Sequence, residues 1–165
     1  MSKAELAVLI CGKPAGILSQ NRNGLMRFEY SPDYSGVPLS AAMPLSNRAY
    51  GQSVVRPFLF GLLPDSERQR RAIAKESGVS ANNPVALLSV IGQDCPGAVQ
   101  FCALDAVDAV VGRPGDYREI SDVEVASKLK SIRTDYDATW MGRDESWSLG
   151  GNQGKFALAF RNGRW

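Results

Sequence analysis

Ala4-Glu5-Leu6-Ala7-Val8-Leu9-Ile10-Cys11-Gly12-Lys13-Pro14-Ala15-Gly16-Ile17 is the stretch on which the reading of the fold turns. Residues 4–10 are a short apolar run that ends at a cluster of turn formers, so a strand is expected. The cluster Cys11–Gly16 contains both Gly and Pro, which marks a turn, and a second strand should begin at Ile17. Asn23-Gly24 is a further hairpin signal. Beyond it Leu25, Arg27 and Glu29 alternate with Met26, Phe28 and Tyr30, the two-residue period of a strand with one face in a core. Three antiparallel strands are therefore expected by Tyr30.

Outward from this sheet the pattern changes. Residues 31–53 are rich in proline and should be mostly loop around an extended piece, Leu39–Leu45. Val54, Val55, Phe58, Leu59, Leu62 and Leu63 then recur at helical spacing until Pro64. Asp65 or Ser66 can cap a second helix, Glu67–Lys75, which ends near Gly78. Its basic residues read as a solvated face, because no aromatic side chain interleaves with them. Ser80 or Asn82 can cap a third helix through Val85, Leu87, Leu88 and Ile91 to Gly92, and residues 97–104 read as a buried strand. Residues 105–116, with Gly112, Pro114 and Gly115, are the best linker candidate. Ser121 and Glu124 make a capping box for a helix over Val123–Ile132. A strand over Phe156–Phe160 and a turn at Asn162-Gly163 close the chain. The class is α+β: an N-terminal antiparallel sheet with a small helical cluster.

Composition narrows the chemistry. The chain has 165 residues, enough to bury a sizeable core, and 44% of them are hydrophobic. Nineteen Lys and Arg against 17 Asp and Glu give a net charge of +2, too weak a bias to argue for nucleic acid. There is no histidine, which excludes Ser-His-Asp and Cys-His catalysis, any imidazole base and every His-containing zinc site. Cys11, Cys95 and Cys102 form no CxxC pair and read as free thiols of a reducing, cytoplasmic environment. No apolar run approaches a membrane span. Asp94, Asp105, Asp116, Asp135, Asp137 and Asp144 are scattered like turn and cap residues, and no metal site is expected. Trp140, Trp147 and Trp165 read as packing residues.

One segment carries chemistry: Ser146-Trp147-Ser148-Leu149-Gly150-Gly151-Asn152-Gln153-Gly154-Lys155. Its glycines lie between two strand-like runs and would let backbone amides approach a phosphate, and Lys155 adds a point charge. The Walker A spacing fails, since only three residues separate Gly150 from Gly154 and Phe156 follows the lysine. The kinase GxGxxG fails too, because Asn152 stands where the second glycine would be. A phosphate cradle and a plain β-turn both fit this spacing.

Four blocks, in order, resemble HipA-type serine/threonine kinases, the toxin halves of bacterial toxin–antitoxin pairs. They are Pro38-Leu39-Ser40 with Met43-Pro44-Leu45; Phe58-Leu59-Phe60-Gly61-Leu62-Leu63-Pro64-Asp65; Leu87 to Val99; and Ser148 to Lys155 with Ala157-Leu158. The resemblance implies that residues 1–104 form the N-terminal subdomain, 105–116 a linker, and 117–165 the beginning of a kinase-like N-lobe, a β-hairpin with the glycine-rich loop. It implies that Gly150, Gly151, Asn152, Gln153, Gly154 and Lys155 contact ATP phosphates, with magnesium in the complete enzyme. Ser148, with Ser146 before it, takes the place of the autophosphorylated serine.

Phosphoryl transfer also needs a positioning aspartate, a metal-binding Asp and Asn, and a second lysine, which in the family follow the glycine loop. No Asp-Phe-Gly occurs here, so no catalytic residue is assigned, and the chain alone is expected to be inactive and not to bind nucleotide tightly. The implied partners are the remainder of a kinase core, or a separate kinase subunit, and a helix-turn-helix antitoxin; direct contact with nucleic acid or membrane is not expected. The alternative is a non-catalytic module that docks on a separately encoded kinase core and regulates it. An unpaired strand edge after Phe160 suggests instability or self-association of the chain alone.

Overall fold

A computed structural model describes residues 4–114, 118–134 and 158–165. The antiparallel sheet is present and has five strands: β1 (Ala4–Ile10), β2 (Lys13–Gln20), β3 (Met26–Tyr30), β4 (Ala49–Tyr50) and β5 (Val99–Cys102). Their order is β4-β3-β2-β1-β5, every neighbouring pair antiparallel.

The first hairpin is tighter than the Gly/Pro cluster suggests. Cys11 and Gly12 alone make the turn, both at positive φ (51° and 72°), as a two-residue turn matching strand twist demands. Strand β2 therefore starts at Lys13, not Ile17. Pro14 and Gly16 lie within it at a register shift opposite Val8 and Leu9, where the ladder is already interrupted and a proline does little harm. Gly16 is required for a different reason: a Cβ there would collide with the Glu29 carbonyl and sit 2.9 Å from the Phe28 ring.

Helices α1 (Gln52–Gly61), α2 (Glu67–Ser77) and α3 (Pro84–Ile91) cover one face of the sheet. Leu6, Val8 and Ile10 of β1, Met26, Phe28 and Tyr30 of β3 and Phe101 of β5 meet Val55, Leu59, Ile73, Val85, Leu87 and Leu88 in one buried cluster. Ser66 caps α2 through its hydroxyl, and Gly78 ends it at φ 67°. The cap of α3 is Asn83 rather than Ser80 or Asn82. Pro84 is preset for the first helical position, and the Asn83 side chain accepts from the Val85 and Ala86 N–H groups at 3.1 and 3.3 Å. Residues 39–45 form no strand; turns at Ser40–Met43 and Pro44–Asn47 replace the expected extended piece. Strand β5 is shorter than the run 97–104, because Gly97 turns at φ 81° and the chain leaves the sheet at Ala103.

The opposite face has a smaller layer. A 3-10 turn at Leu104–Ala106 runs into α4 (Val107–Val111), both within or beside the stretch read as linker. Val110, with Ala106 and Val107, packs on Ala7, Leu9 and Cys102. Further on, α5 (Asp122–Thr134) opens with the expected capping box: Glu124 N–H donates to the Ser121 hydroxyl at 3.3 Å, and Ser121 N–H donates back to the Glu124 carboxylate at 2.7 Å. Of the expected strand 156–160, residues 156 and 157 lie outside the described residues and 158–160 are not strand. Asn162 and Gly163 do form the expected turn, bridged by Arg161 and Arg164.

Gly16→Ala should cost about 2 kcal/mol or more, since its new methyl meets backbone and a packed ring. Gly61→Ala, at the end of α1 with nothing within 4 Å, should instead be neutral or stabilising by up to about 1 kcal/mol. Urea denaturation of the two variants checks this difference in sign.

Candidate functional site

The residues singled out for chemistry, Ser146, Ser148, Gly150, Gly151, Asn152, Gln153, Gly154 and Lys155, lie outside the described residues. What is described is the polypeptide on either side of them. Residues 158–165 return to the start of α5: Ile120 N–H donates to the Trp165 carbonyl at 3.0 Å, and Arg164 pairs with Glu119 at 2.8 Å. The rings of Phe160 and Trp165 meet at a tilt of 52°, with centroids 4.7 Å apart.

The other three blocks that carry the resemblance each hold the fold together. In the first, Leu39 N–H donates to the Tyr30 hydroxyl at 2.7 Å, and that hydroxyl donates on to the Met43 carbonyl at 2.7 Å. Tyr50 donates to the Pro44 carbonyl, and Tyr34 to that of Val37 at 2.8 Å. The rings of Phe28, Tyr30, Tyr34 and Tyr50 pack on one another beneath these bonds. Three tyrosines thus clasp a loop that has no ladder of its own. Burial raises the Tyr30 hydroxyl above its ordinary pKa, against the lowering effect of the Leu39 N–H. The clasp was not anticipated, although the alternation that buries Tyr30 left its hydroxyl in need of partners.

In the second block, Phe58 to Asp65 end α1, and Arg70 reaches back from α2 to donate to the Pro64 and Asp65 carbonyls. Arg71 pairs with Glu67 one turn away at 2.6 Å. The basic cluster of α2 is therefore spent largely on bracing its own corner, in keeping with a solvated face. In the third block, Leu87 and Leu88 are buried and Gly92 lies so close to β5 that a Cβ would sit 2.7 Å from that of Phe101. The Asn83 amide also donates to Gln20 at 2.8 Å, tying α3 to the sheet.

No chemical centre emerges among the described residues. Among these residues no polar or charged side chain is fully buried, the tyrosines apart, and no group of His, Cys, Asp or Glu could hold a metal ion. Ala126, Leu129, Lys130 and Arg133 of α5 line an open groove of about 560 Å³, and all four are exposed. Of the thiols, Cys11 is exposed at the hairpin tip and Cys95 and Cys102 are buried. No helix among the described residues is long and apolar enough to cross a membrane.

The arrangement is thus a sheet with helices on both faces and a clasped loop. The family model for the HipA N-terminal domain matches residues 6–102, from the first buried residue of β1 to the last of β5. The chain belongs to this family. The protein named "Putative kinase Y4mE", from Sinorhizobium fredii, is 39% identical over 98 residues, which are 57% of this chain and 23% of Y4mE. An uncharacterized protein of Haemophilus influenzae is 27% identical over 94 residues, again 57% of this chain but 87% of that protein. The fold matches the solved Shewanella oneidensis MR-1 toxin–antitoxin complex of HipA, HipB and operator DNA, with a TM-score of 0.60 and 27% identity. That match covers 76% of this chain and 29% of the other. The HipA N-terminal domain here thus spans under a third of two of these relatives and most of the third.

Within the HipA N-terminal domain, the most strongly perturbed thiol is Cys95, pushed from 9.0 to about 12, first by burial and then by the Asp94 carboxylate. Unfolded, this thiol ionises from about pH 9; folded, it holds its proton until about 12. Its contribution to stability is present below pH 9 and lost as pH rises between these values, at up to about 1.4 kcal/mol per pH unit. Cys95→Ala should flatten the alkaline fall in urea stability between pH 9 and pH 11 by that component.

Proposed function

We propose that this chain supplies the N-terminal module of a HipA-like protein serine/threonine kinase of a toxin–antitoxin system. The observation that carries this reading is the match of residues 6–102 to the HipA N-terminal domain, followed in order by the segment Ser146–Lys155. On this reading Gly150, Gly151, Asn152, Gln153, Gly154 and Lys155 are the glycine-rich loop for ATP phosphates, and Ser148, with Ser146, is the autophosphorylation serine. ATP would come with magnesium, yet the described residues include no group of carboxylates to hold the ion. No transfer step is derived from this chain, and the positioning aspartate, the metal ligands and the second lysine are assigned to other polypeptide. The macromolecular partner is a helix-turn-helix antitoxin, supported by the HipB and operator DNA of the matched complex. The cytoplasm is the compartment that fits such a partner.

A second reading is favoured by one observation. The Haemophilus influenzae relative is matched over 87% of its length, so the domain makes up nearly all of that protein. A module of this kind would dock on a separately encoded kinase core and regulate it without chemistry of its own.

A phosphate on Ser148 would place about −2 charge beside a loop that holds other phosphates, and should expel ATP. Calorimetric titration with ATP and magnesium should show no binding tighter than about 1 mM for this chain alone. In a protein where this chain is joined to a catalytic core, ATP should bind, and Ser148→Asp should weaken it at least about tenfold. Tight binding by the isolated chain, or unchanged binding by the Ser148→Asp protein, would overturn these assignments.

A further inference from the structure

We propose that Asn162 is a modification site at which the chain changes itself: the Gly163 nitrogen displaces the Asn162 side-chain amide, and the isoaspartyl product releases the turn that ties residues 158–165 to α5. The proposal is independent of the kinase reading and needs only water as co-reactant.

The sequence places Asn-Gly after an arginine twice, at Arg22-Asn23-Gly24 and at Arg161-Asn162-Gly163. Glycine has no Cβ to keep its nitrogen away from the preceding side chain, so in an unfolded chain both pairs are predisposed alike. The fold separates them. At the first, Gly24 N–H donates to the Asn21 carbonyl at 2.9 Å. The Asn21 side-chain oxygen accepts from Asn23 N–H at 3.0 Å and from Leu25 N–H at 2.9 Å. The nitrogen that would attack is engaged, and the peptide on either side of it is held. At the second, only the outer residues are bonded: Arg161 N–H donates to the Arg164 carbonyl at 2.9 Å and Arg164 N–H to the Arg161 carbonyl at 3.0 Å. Asn162 and Gly163 form the tip at φ 52° and 78°, both exposed. Among the described residues no acceptor takes the Gly163 N–H. A Cβ would meet open space at Gly24 and Gly163 alike, so hydrogen bonding rather than crowding distinguishes the two pairs.

The step balances without oxidant or metal. Gly163 N–H loses its proton to hydroxide, the nitrogen bonds to Asn162 Cγ, and the Cγ–Nδ2 bond breaks, Nδ2 leaving as ammonia with a proton from water. Water then opens the cyclic imide. Release of Cγ gives aspartate; release of the Asn162 backbone carbonyl gives isoaspartate, whose main chain runs through Cγ and is one carbon longer. Either product adds a negative charge between Arg161 and Arg164. Aspartate tolerates the left-handed backbone, so with it the turn survives. Isoaspartate lengthens a two-residue turn, so Arg161 and Arg164 no longer face each other. The residues just past the tip carry both links to the start of α5, the Trp165 carbonyl to Ile120 N–H at 3.0 Å and Arg164 to Glu119 at 2.8 Å.

The test incubates the full chain at mildly alkaline pH and follows both sites by mass spectrometry of chymotryptic peptides, with enzymatic methylation of isoaspartyl carboxylates as a second readout. In the folded chain Asn162 should convert at least about tenfold faster than Asn23, whose reaction waits on breaking the bonds that hold Gly24. In urea the two rates should converge. Equal rates in the folded chain, or a faster Asn23, would overturn the site. Rates that stay as far apart in urea would trace the difference to neighbouring side chains and overturn the structural argument. The consequence is read by amide hydrogen exchange at Ile120: protection should be lost in the purified isoaspartyl chain and kept in the Asn162→Asp variant. Unchanged protection in the isoaspartyl chain would overturn release of the turn.

Discussion

Because Leu6, Val8 and Ile10 project from one side of β1 while Ala7 and Leu9 project from the other, neither side of that strand can face water, and the fold must supply a layer to each. Strand β5 repeats the demand in miniature, with Phe101 in one cluster and Cys102 in the other. Each fully buried aliphatic side chain contributes about 1.5–3 kcal/mol, whereas an exposed ion pair such as Arg27–Glu29 contributes about 1 kcal/mol or less. Helices α1 to α3 satisfy one side and α4 the other. Strands β2 and β3, farther from α4, carry the one-sided alternation of a sheet face open to solvent, with Arg27 and Glu29 outward and Met26, Phe28 and Tyr30 inward.

The same physics explains which elements could be read from the residues. The apolar run at 4–10, the alternation from Met26 to Tyr30, the Ser66 and Gly78 ends of α2 and the Ser121–Glu124 box all depend on local patterning, and the structure has them. The start of β2, the cap of α3 and residues 39–45 depend on something else. A two-residue turn at Cys11-Gly12, a proline at the first position of α3 and a loop held by tyrosine hydroxyls from β3 and β4 are settled by three-dimensional partners. Residues 104–111 show the same limit, since Gly112 and Pro114 suggest a linker while the bare face of β1 and β5 recruits a helix. Of the candidate site, the blocks at 38–45, 58–65 and 87–99 identified the family, yet their structural work is packing and loop-clasping. Phosphate chemistry at Gly150–Lys155 lies outside the described residues, and no local pattern decided between a cradle and a turn there.

A domain of this construction is well suited to being carried from one chain to another. Its core closes on itself between Leu6 and Val110, it holds no buried charge that a catalytic partner would have to neutralise, and its loop is fixed by its own tyrosines. The comparisons fit that portability: a fraction of the length in Y4mE and in the Shewanella complex, and most of the length in the Haemophilus protein. Both proposed roles, the leading part of a kinase and a module that docks on one, use the same folded unit and differ only in whether the peptide bond continues.

Native-state amide hydrogen exchange, read residue by residue along the full chain, reports directly on the dependence of this unit on its two-sided strand. The amides of Leu6 to Ile10 should be the slowest in the protein, exchanging only through global unfolding, with those of β5 close behind. If β1 instead exchanged as fast as the loop at 31–48, through local opening that left α1 to α3 protected, a fold organised around a strand buried on both sides would be contradicted.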